Sequence, residues 1–119
     1  RIKLGNQFFN LKTATTIPQQ TQGLMNISSL SPDSGMIFIF SLDFTQNFWM
    51  KNTLIPLDMI FINSAGIVTN IEHALPEAKD DQGNFIVYKS TSPAKYVIEI
   101  NGGLSTKIGL KPGDKINGL

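Results

Sequence analysis

The sequence predicts a mainly-β fold, a compact single-domain β-barrel or sandwich with two short helices. Many short apolar or alternating runs are separated by turn clusters at regular spacing, which is typical of barrels and sandwiches. The 119 residues are 41% hydrophobic, which suits one domain, residues 1–119, with its own core. Helix signals occur only twice.

The strand predictions rest on apolar runs of strand length and on period-two alternation. Met36–Phe40 is apolar throughout, so we expect a strand buried on both faces. In Lys95–Ile100, alternation predicts a half-buried strand with Tyr96 facing inward and Glu99 on the other side. The predicted strands in chain order are Phe8–Thr15, Met36–Phe40, Phe48–Lys51, Asp58–Ile62, Ile67–Ile71, Phe85–Lys89, Lys95–Ile100 and a last one beginning at Lys115.

The two helices are predicted from their end signals. Thr16 can serve as an N-cap, Pro18 lies where proline is tolerated early in a helix, and Gly23 argues against a long helix. The second helix, Leu104–Ile108, is predicted to end at Gly109.

Charge and composition exclude several classes of function. The net charge is +1, from 10 basic and 9 acidic residues, and the single arginine is Arg1. A nucleic-acid surface needs clustered Lys and Arg, so we expect no nucleic-acid partner. The chain has no cysteine, which excludes disulfides and thiol chemistry. No apolar run approaches the roughly 18 residues of a membrane span. We expect the protein to be a monomer.

The expected location is outside the cytoplasm, in the periplasm or cell envelope. Thr, Ser, Asn and Gln are abundant relative to charged residues, which favours an extracytoplasmic setting. The chain begins with Arg1 rather than methionine, so we expect that a preceding segment, such as a signal peptide, has been removed.

The stretch from Phe48 to Asn63 carries the residues most suited to a site. If two strands form a hairpin around 52–57, Asp58 returns close to Lys51, beside Trp49. One hypothesis is a pocket for a small molecule or a protein partner, walled by Trp49, with Lys51, Asn52 and Asp58 as polar groups. The alternative is a surface ion pair beside a turn, with Asn52 in the turn itself. The Ile55–Pro56 bond is left open as cis or trans.

Two further functions are kept as alternatives. A hydrolase or carbohydrate-active enzyme would use Asp58 as acid/base and Lys51 as electrostatic stabiliser, and a structural module would have no small-molecule site. His73 is the single histidine and lacks convergent carboxylates, while the four methionines suit core filling better than Cu(I). We therefore predict no metal site and no cofactor.

Five segments together carry a resemblance to a known family. They are Gln22–Met25, Gly35–Phe38, Phe48–Asp58, Ala94–Asn101 and Gly109–Ile116, in this order along the chain. The block Trp-Met-Lys-Asn-Thr-Leu-Ile-Pro-Leu-Asp is the most specific of them. Over about residues 15–116, the sequence resembles the bacterial and archaeal domain of unknown function 192, an uncharacterised protein family.

The resemblance implies a mainly-β fold with short helices, frequent export behind a signal peptide, and no established activity. The family's signature residues correspond here to Trp49, Met50, Lys51, Asn52, Pro56, Asp58 and Asn101, so Asn101 joins the candidate ligand-binding residues. Relatives usually carry arginine before Gly-Leu-Met and a basic residue after it. Gln22 and Asn26 stand there instead, which puts any anion-binding role of those positions in doubt.

Overall fold

The computed structural model describes residues 1–119 and confirms the mainly-β prediction. Eight strands and two short helices form a half-barrel with a small separate ribbon. They are β1 Ile2–Leu4, β2 Gln7–Ala14, α1 Ile17–Gln22, β3 Ser34–Phe44, β4 Asn47–Phe48, β5 Leu57–Ile62, β6 Val68–Ala74, β7 Tyr88–Lys89, β8 Ala94–Asn101 and α2 Leu104–Lys107. With six and four residues, the two helices lack the length of a membrane-spanning helix.

The main sheet has six strands in the order β1-β2-β3-β8-β5-β6, and β4 pairs with β7 in the ribbon. The β2–β3 pair is parallel, and the connection between these strands contains α1. The other neighbours are antiparallel. The late strand β8 therefore lies at the centre of the sheet, between β3 and β5.

This central position corrects the prediction for Lys95–Ile100. Ile98 and Ile100 belong to one hydrophobic cluster, while Val97 belongs to a second cluster on the opposite face. Glu99 points to the same side as Val97 and is only 4% exposed. Alternation predicted a half-buried strand, but a strand with covered neighbours on both sides is itself covered on both faces.

Each face of the sheet has its own core. The first cluster includes Phe9 and Ile60 and is completed by the C-terminal Ile108, Leu110 and Ile116. The second cluster contains Phe38, Phe61 and three methionines, which are Met36, Met50 and Met59. Three of the four methionines thus fill the core as predicted, whereas Met25 is half-buried.

Helix α1 is held over the second cluster. Its Thr16 N-cap accepts a hydrogen bond from the Gln19 backbone N–H, while the Gln19 side chain accepts from the Thr16 N–H. The Gln20 side-chain amide donates to the carbonyls of Ala14 and Ile39. These bonds fix the helix against β2 and β3.

The hairpin expected between Phe48 and Asp58 does not form. The predicted strand Phe48–Lys51 is reduced to Asn47–Phe48, which pairs with β7 rather than with β5. The chain turns after Met50, which is fully buried, and Asn52 adopts a left-handed φ of 55°. The Ile55–Pro56 bond is trans, and the predicted last strand is a single bridge between Ile67 and Lys115.

Candidate functional site

A cavity of about 440 Å³ opens between α1, the β4–β7 ribbon and the second face of the main sheet. Phe38, Phe48 and Trp49 supply aromatic walls, and amide and hydroxyl side chains such as those of Gln46 and Thr53 supply polar ones. No lysine, arginine or histidine lines it. Its volume lies within the roughly 300–1,000 Å³ range of small-molecule sites.

Glu99 is the ionisable residue of this cavity. The side chain makes no ion pair, and no hydrogen bond offsets its burial. Every fully enclosed side-chain nitrogen or oxygen of the protein has a hydrogen-bond partner, so the unpartnered carboxyl oxygens of Glu99 must reach the cavity surface. The Glu99 carboxyl group can therefore form hydrogen bonds with a bound molecule or with water.

The surroundings of Glu99 explain its proton affinity. Met36 of β3 and Met59 of β5 are its direct neighbours across the sheet, and neither thioether donates a hydrogen bond. Burial therefore raises the pKa of Glu99 from 4.5 to about 8. At neutral pH the group is mainly a neutral acid, which can both donate and accept a hydrogen bond.

Trp49 lies at the rim of the cavity, and Lys51 contacts it without lining the cavity itself. Trp49 lines the opening and is 49% exposed, with its ring 5.6 Å from that of Phe85. The Lys51 ammonium lies 5.5 Å from the centre of the Trp49 ring, at cation–π distance. Lys51 does not contact Asp58, so the expected Lys51–Asp58 ion pair is wrong.

Asp58 is instead a buried structural hub at the start of β5. Its Oδ1 accepts from the Gly103 N–H at 3.0 Å and from His73 Nδ1 at 2.7 Å. Its Oδ2 accepts from the Ser105 N–H at 2.9 Å and from the Ser105 hydroxyl at 2.5 Å. Burial alone would raise the pKa of Asp58, but the bonds from Ser105, Gly103 and His73 outweigh it and lower that pKa.

The Asp58 cluster contains a serine, a histidine and an aspartate, but it is not a nucleophilic triad. In a triad the serine hydroxyl is bonded to the imidazole, whereas the Ser105 hydroxyl donates to Asp58. The carboxylate is fully buried and both of its oxygens are engaged. Asp58 thus offers no free atom to a substrate, and the geometry gives no support to the acid/base role considered for it.

Asn52 and Asn101 also act on the backbone. Asn52 lies in the turn after Met50, and its carbonyl accepts from the Asn26 N–H at 2.8 Å. The Asn101 side-chain amide donates to the Leu30 carbonyl at 2.7 Å. Neither residue lines the cavity. Of the predicted ligand-binding residues, Trp49 alone belongs to the cavity wall.

Glu99 was missed because alternation within one strand does not reveal what covers its second face. A signal was present, since Glu99 lies inside the block Ala94–Asn101 that carries the family resemblance. A glutamate among Val97, Ile98 and Ile100 would have been recognised as buried only if β8 had been placed between two apolar strands.

Two solved structures are similar to this chain. One is a "putative transcription regulator" from Sinorhizobium meliloti 1021, with 37% sequence identity and a TM-score of 0.84, over 92% of this chain and 81% of that one. The other is a protein of unknown function from Novosphingobium aromaticivorans DSM 12444, with 38% identity and a TM-score of 0.83, over 92% of this chain and 75% of that one. No curated protein matches the chain.

The family comparison agrees with the resemblance read from the sequence blocks. The model of domain of unknown function 192, described as "Uncharacterized ACR", matches residues 1–118. This match extends beyond the 15–116 range of the sequence blocks and includes the whole of β1 and β2. The chain therefore belongs to the domain of unknown function 192 family.

Proposed function

We propose that the protein binds a small organic ligand in the cavity between α1 and the main sheet. The observation that carries the proposal is the Glu99 carboxyl, which is buried, makes no hydrogen bond within the chain and lines this cavity. Burying a polar group without a partner costs free energy. A ligand that hydrogen-bonds to Glu99 would recover part of that cost.

The walls of the cavity support the same proposal. Ligand sites combine mainly apolar and aromatic walls with a few placed polar groups, and here 8 of the 16 lining residues are hydrophobic. Trp49 keeps its predicted role as a wall. Lys51 contributes through its contact with Trp49, whereas Asn52, Asp58 and Asn101 support the loops and strands around the site.

The name of the Sinorhizobium meliloti relative does not lead us to propose DNA binding. The balance of 10 basic and 9 acidic residues, with one arginine, does not supply the phosphate contacts that such a role needs. An extracytoplasmic location stays part of the proposal and rests on the composition and the family resemblance.

A fragment screen by NMR tests the proposal, with methyl-labelled methionines as reporters. Met25 lines the cavity, and Met36 and Met59 flank Glu99 in the sheet. We expect fragments with an aromatic or aliphatic body and one polar group to shift the Met25 signal in a saturable manner.

A matched pair of variants locates the binding. Val87 is exposed and lines the cavity, whereas the neighbouring Ile86 is exposed but does not line it. Val87→Trp should weaken fragment binding at least about tenfold by filling the mouth, and Ile86→Trp should leave it unchanged. An absence of saturable binding, or equal loss in both variants, would refute the proposed function.

A further inference from the structure

The cavity contains an acid without a counter-charge. Glu99 is its ionisable residue, and no basic side chain lines it. A carboxylate ligand would face a like charge or a buried acid with no cation to pair with, which disfavours its binding. The cavity therefore selects against anions.

The walls favour a positive charge. The rings of Phe38 and Phe48 meet edge to face at 4.9 Å, and both line the cavity together with Phe40 and Trp49. Aromatic faces attract ammonium groups. Trp49 already makes such a contact within the protein, because the Lys51 ammonium lies 5.5 Å from the centre of its ring.

Resting on the proposed function, we infer that the ligand is an organic amine, whose ammonium group pairs with the Glu99 carboxylate while its apolar body packs against the aromatic walls. The pairing is a charge-assisted hydrogen bond, which is roughly twice as strong as a bond between neutral groups. The ammonium supplies the counter-charge that the sheet does not provide.

None of the groups around Glu99 forms an ion pair with it. Its neighbours in the sheet row, Met36 and Met59, are uncharged, and the row ends with Lys12 on β2 and Glu72 on β6. Glu72 is occupied by the Asn70 side-chain amide at 3.1 Å. Helix α1 carries no charged residue.

Two more titratable groups lie on the same side. Lys95 is four residues away on β8 and points to the same face as Glu99. Tyr88 of the ribbon packs against the second cluster. Neither is among the residues that line the cavity.

Amine binding should consequently depend on pH. Glu99 must lose its proton to pair with an ammonium, and its pKa is raised to about 8. At pH 6 only about 1% of the protein is in the competent form, so the apparent affinity should rise roughly fiftyfold or more between pH 6 and pH 8.5. An alkylammonium keeps its charge over this range.

Three probes with the same body test the charge. We would titrate 2-phenylethylamine, 2-phenylethanol and phenylacetate into the protein at pH 6 and pH 8.5, following the methionine methyl signals. At pH 8.5 the amine should bind at least about tenfold more tightly than the alcohol, phenylacetate should bind most weakly, and Glu99→Gln should abolish the advantage of the amine. The pH dependence of the wild type provides the same test if Glu99→Gln does not fold.

The outcomes separate this inference from the proposed function. Equal or tighter binding of the alcohol or of phenylacetate, or amine binding that does not change with pH, would overturn the inference while leaving a ligand site in place. The inference would also fail if fragments from the screen bind in a Val87→Trp-sensitive manner but the amine does not. An absence of any binding sensitive to Val87→Trp would remove both.

Discussion

Asp58 and Glu99 are two buried carboxyl groups that this protein treats in opposite ways. Asp58 accepts hydrogen bonds from Gly103, Ser105 and His73, so its charge is stabilised inside the protein. Glu99 has apolar neighbours and no such donors, so its charge is disfavoured. Buried charges require partners. Asp58 thus stabilises the fold, whereas Glu99 is available for binding.

Asp58→Asn should destabilise the protein by about 3 kcal/mol. An amide presents one oxygen and one NH₂ group, so at least one of the donors from Gly103, Ser105 or His73 loses its acceptor. Chemical denaturation measures the loss. Asp81→Asn is the matched control, because Asp81 is exposed, and it should change the unfolding free energy by less than about 0.5 kcal/mol.

The stabilisation from Asp58 has a defined pH range. Its folded-state pKa lies below the ordinary value of 3.8, so the stability that it contributes is present above about pH 4 and is lost as the pH falls through the folded pKa. Asp58→Asn should remove this part of the acid sensitivity. An identical acid-unfolding profile in wild type and variant would contradict the role assigned to Asp58.

Glu99 should produce the opposite pH dependence. Its pKa rises from 4.5 in the unfolded chain to about 8 in the folded protein, so its contribution is most favourable below pH 4.5 and is lost as the pH rises through 8. The unfolding free energy of Glu99→Gln, relative to that of wild type, should therefore increase by about 3 to 5 kcal/mol as the pH rises from 5 to 9. Urea unfolding at several pH values measures this difference.

Glu77→Gln serves as the control for Glu99→Gln. Glu77 is exposed, so its replacement should leave the pH dependence of wild type in place. A constant difference in stability between Glu99→Gln and wild type across this pH range would show that Glu99 ionises freely in the folded protein.

At the scale of elements, α1 and the β4–β7 ribbon matter most, because they cover the second face of the sheet and leave the cavity between them. Helix α1 has only six residues, which is too short to be stable alone. Its position depends on the Thr16 capping box and on the Gln20 bonds to the Ala14 and Ile39 carbonyls. Loss of any of these few contacts should therefore loosen α1 and the side of the cavity that it forms.

Thr16→Ala should destabilise the protein by about 1 kcal/mol, because the Gln19 backbone N–H loses its side-chain acceptor. Hydrogen exchange at the backbone amides of α1 should accelerate, and the affinity of cavity fragments should fall with it. Thr15→Ala is the matched control, since Thr15 is exposed and its hydroxyl makes no hydrogen bond within the chain. Equal effects of the two substitutions would contradict the capping role.

The elements also show which parts of the fold the sequence can predict. The run Met36–Phe40 is apolar throughout and forms part of a strand as predicted, with Met36–Phe38 buried and Ile39 and Phe40 half-buried. The Thr16 cap is where its residue type indicates. Local patterns report local structure. The pairing of Asn47–Phe48 with Tyr88–Lys89 joins segments that are far apart in sequence, and no local pattern contains that information.

At the scale of the whole molecule, chain order misplaced the candidate site. Trp49, Lys51 and Asp58 are close in sequence, and a hairpin would have brought them together. The sheet instead places Asp58 beside α2 and turns Trp49 toward α1 and the cavity. The late strand β8 lies at the centre of the sheet. This pairing between segments far apart in sequence brings Glu99 to the cavity that Trp49 also lines. Residue type was enough to predict Trp49 as a wall of the cavity, whereas the position of Glu99 in the cavity depends on the strand order of the sheet.

The ionisation of Glu99 is the most direct test of the proposed site, and carbon NMR of its side-chain carboxyl measures it. The account predicts a titration midpoint near 8 in the free protein and a lower midpoint when 2-phenylethylamine is bound, because an ammonium partner favours the charged carboxylate. A midpoint near the ordinary 4.5 in the free protein, unchanged by the amine, would contradict both the unpartnered burial of Glu99 and its role in binding.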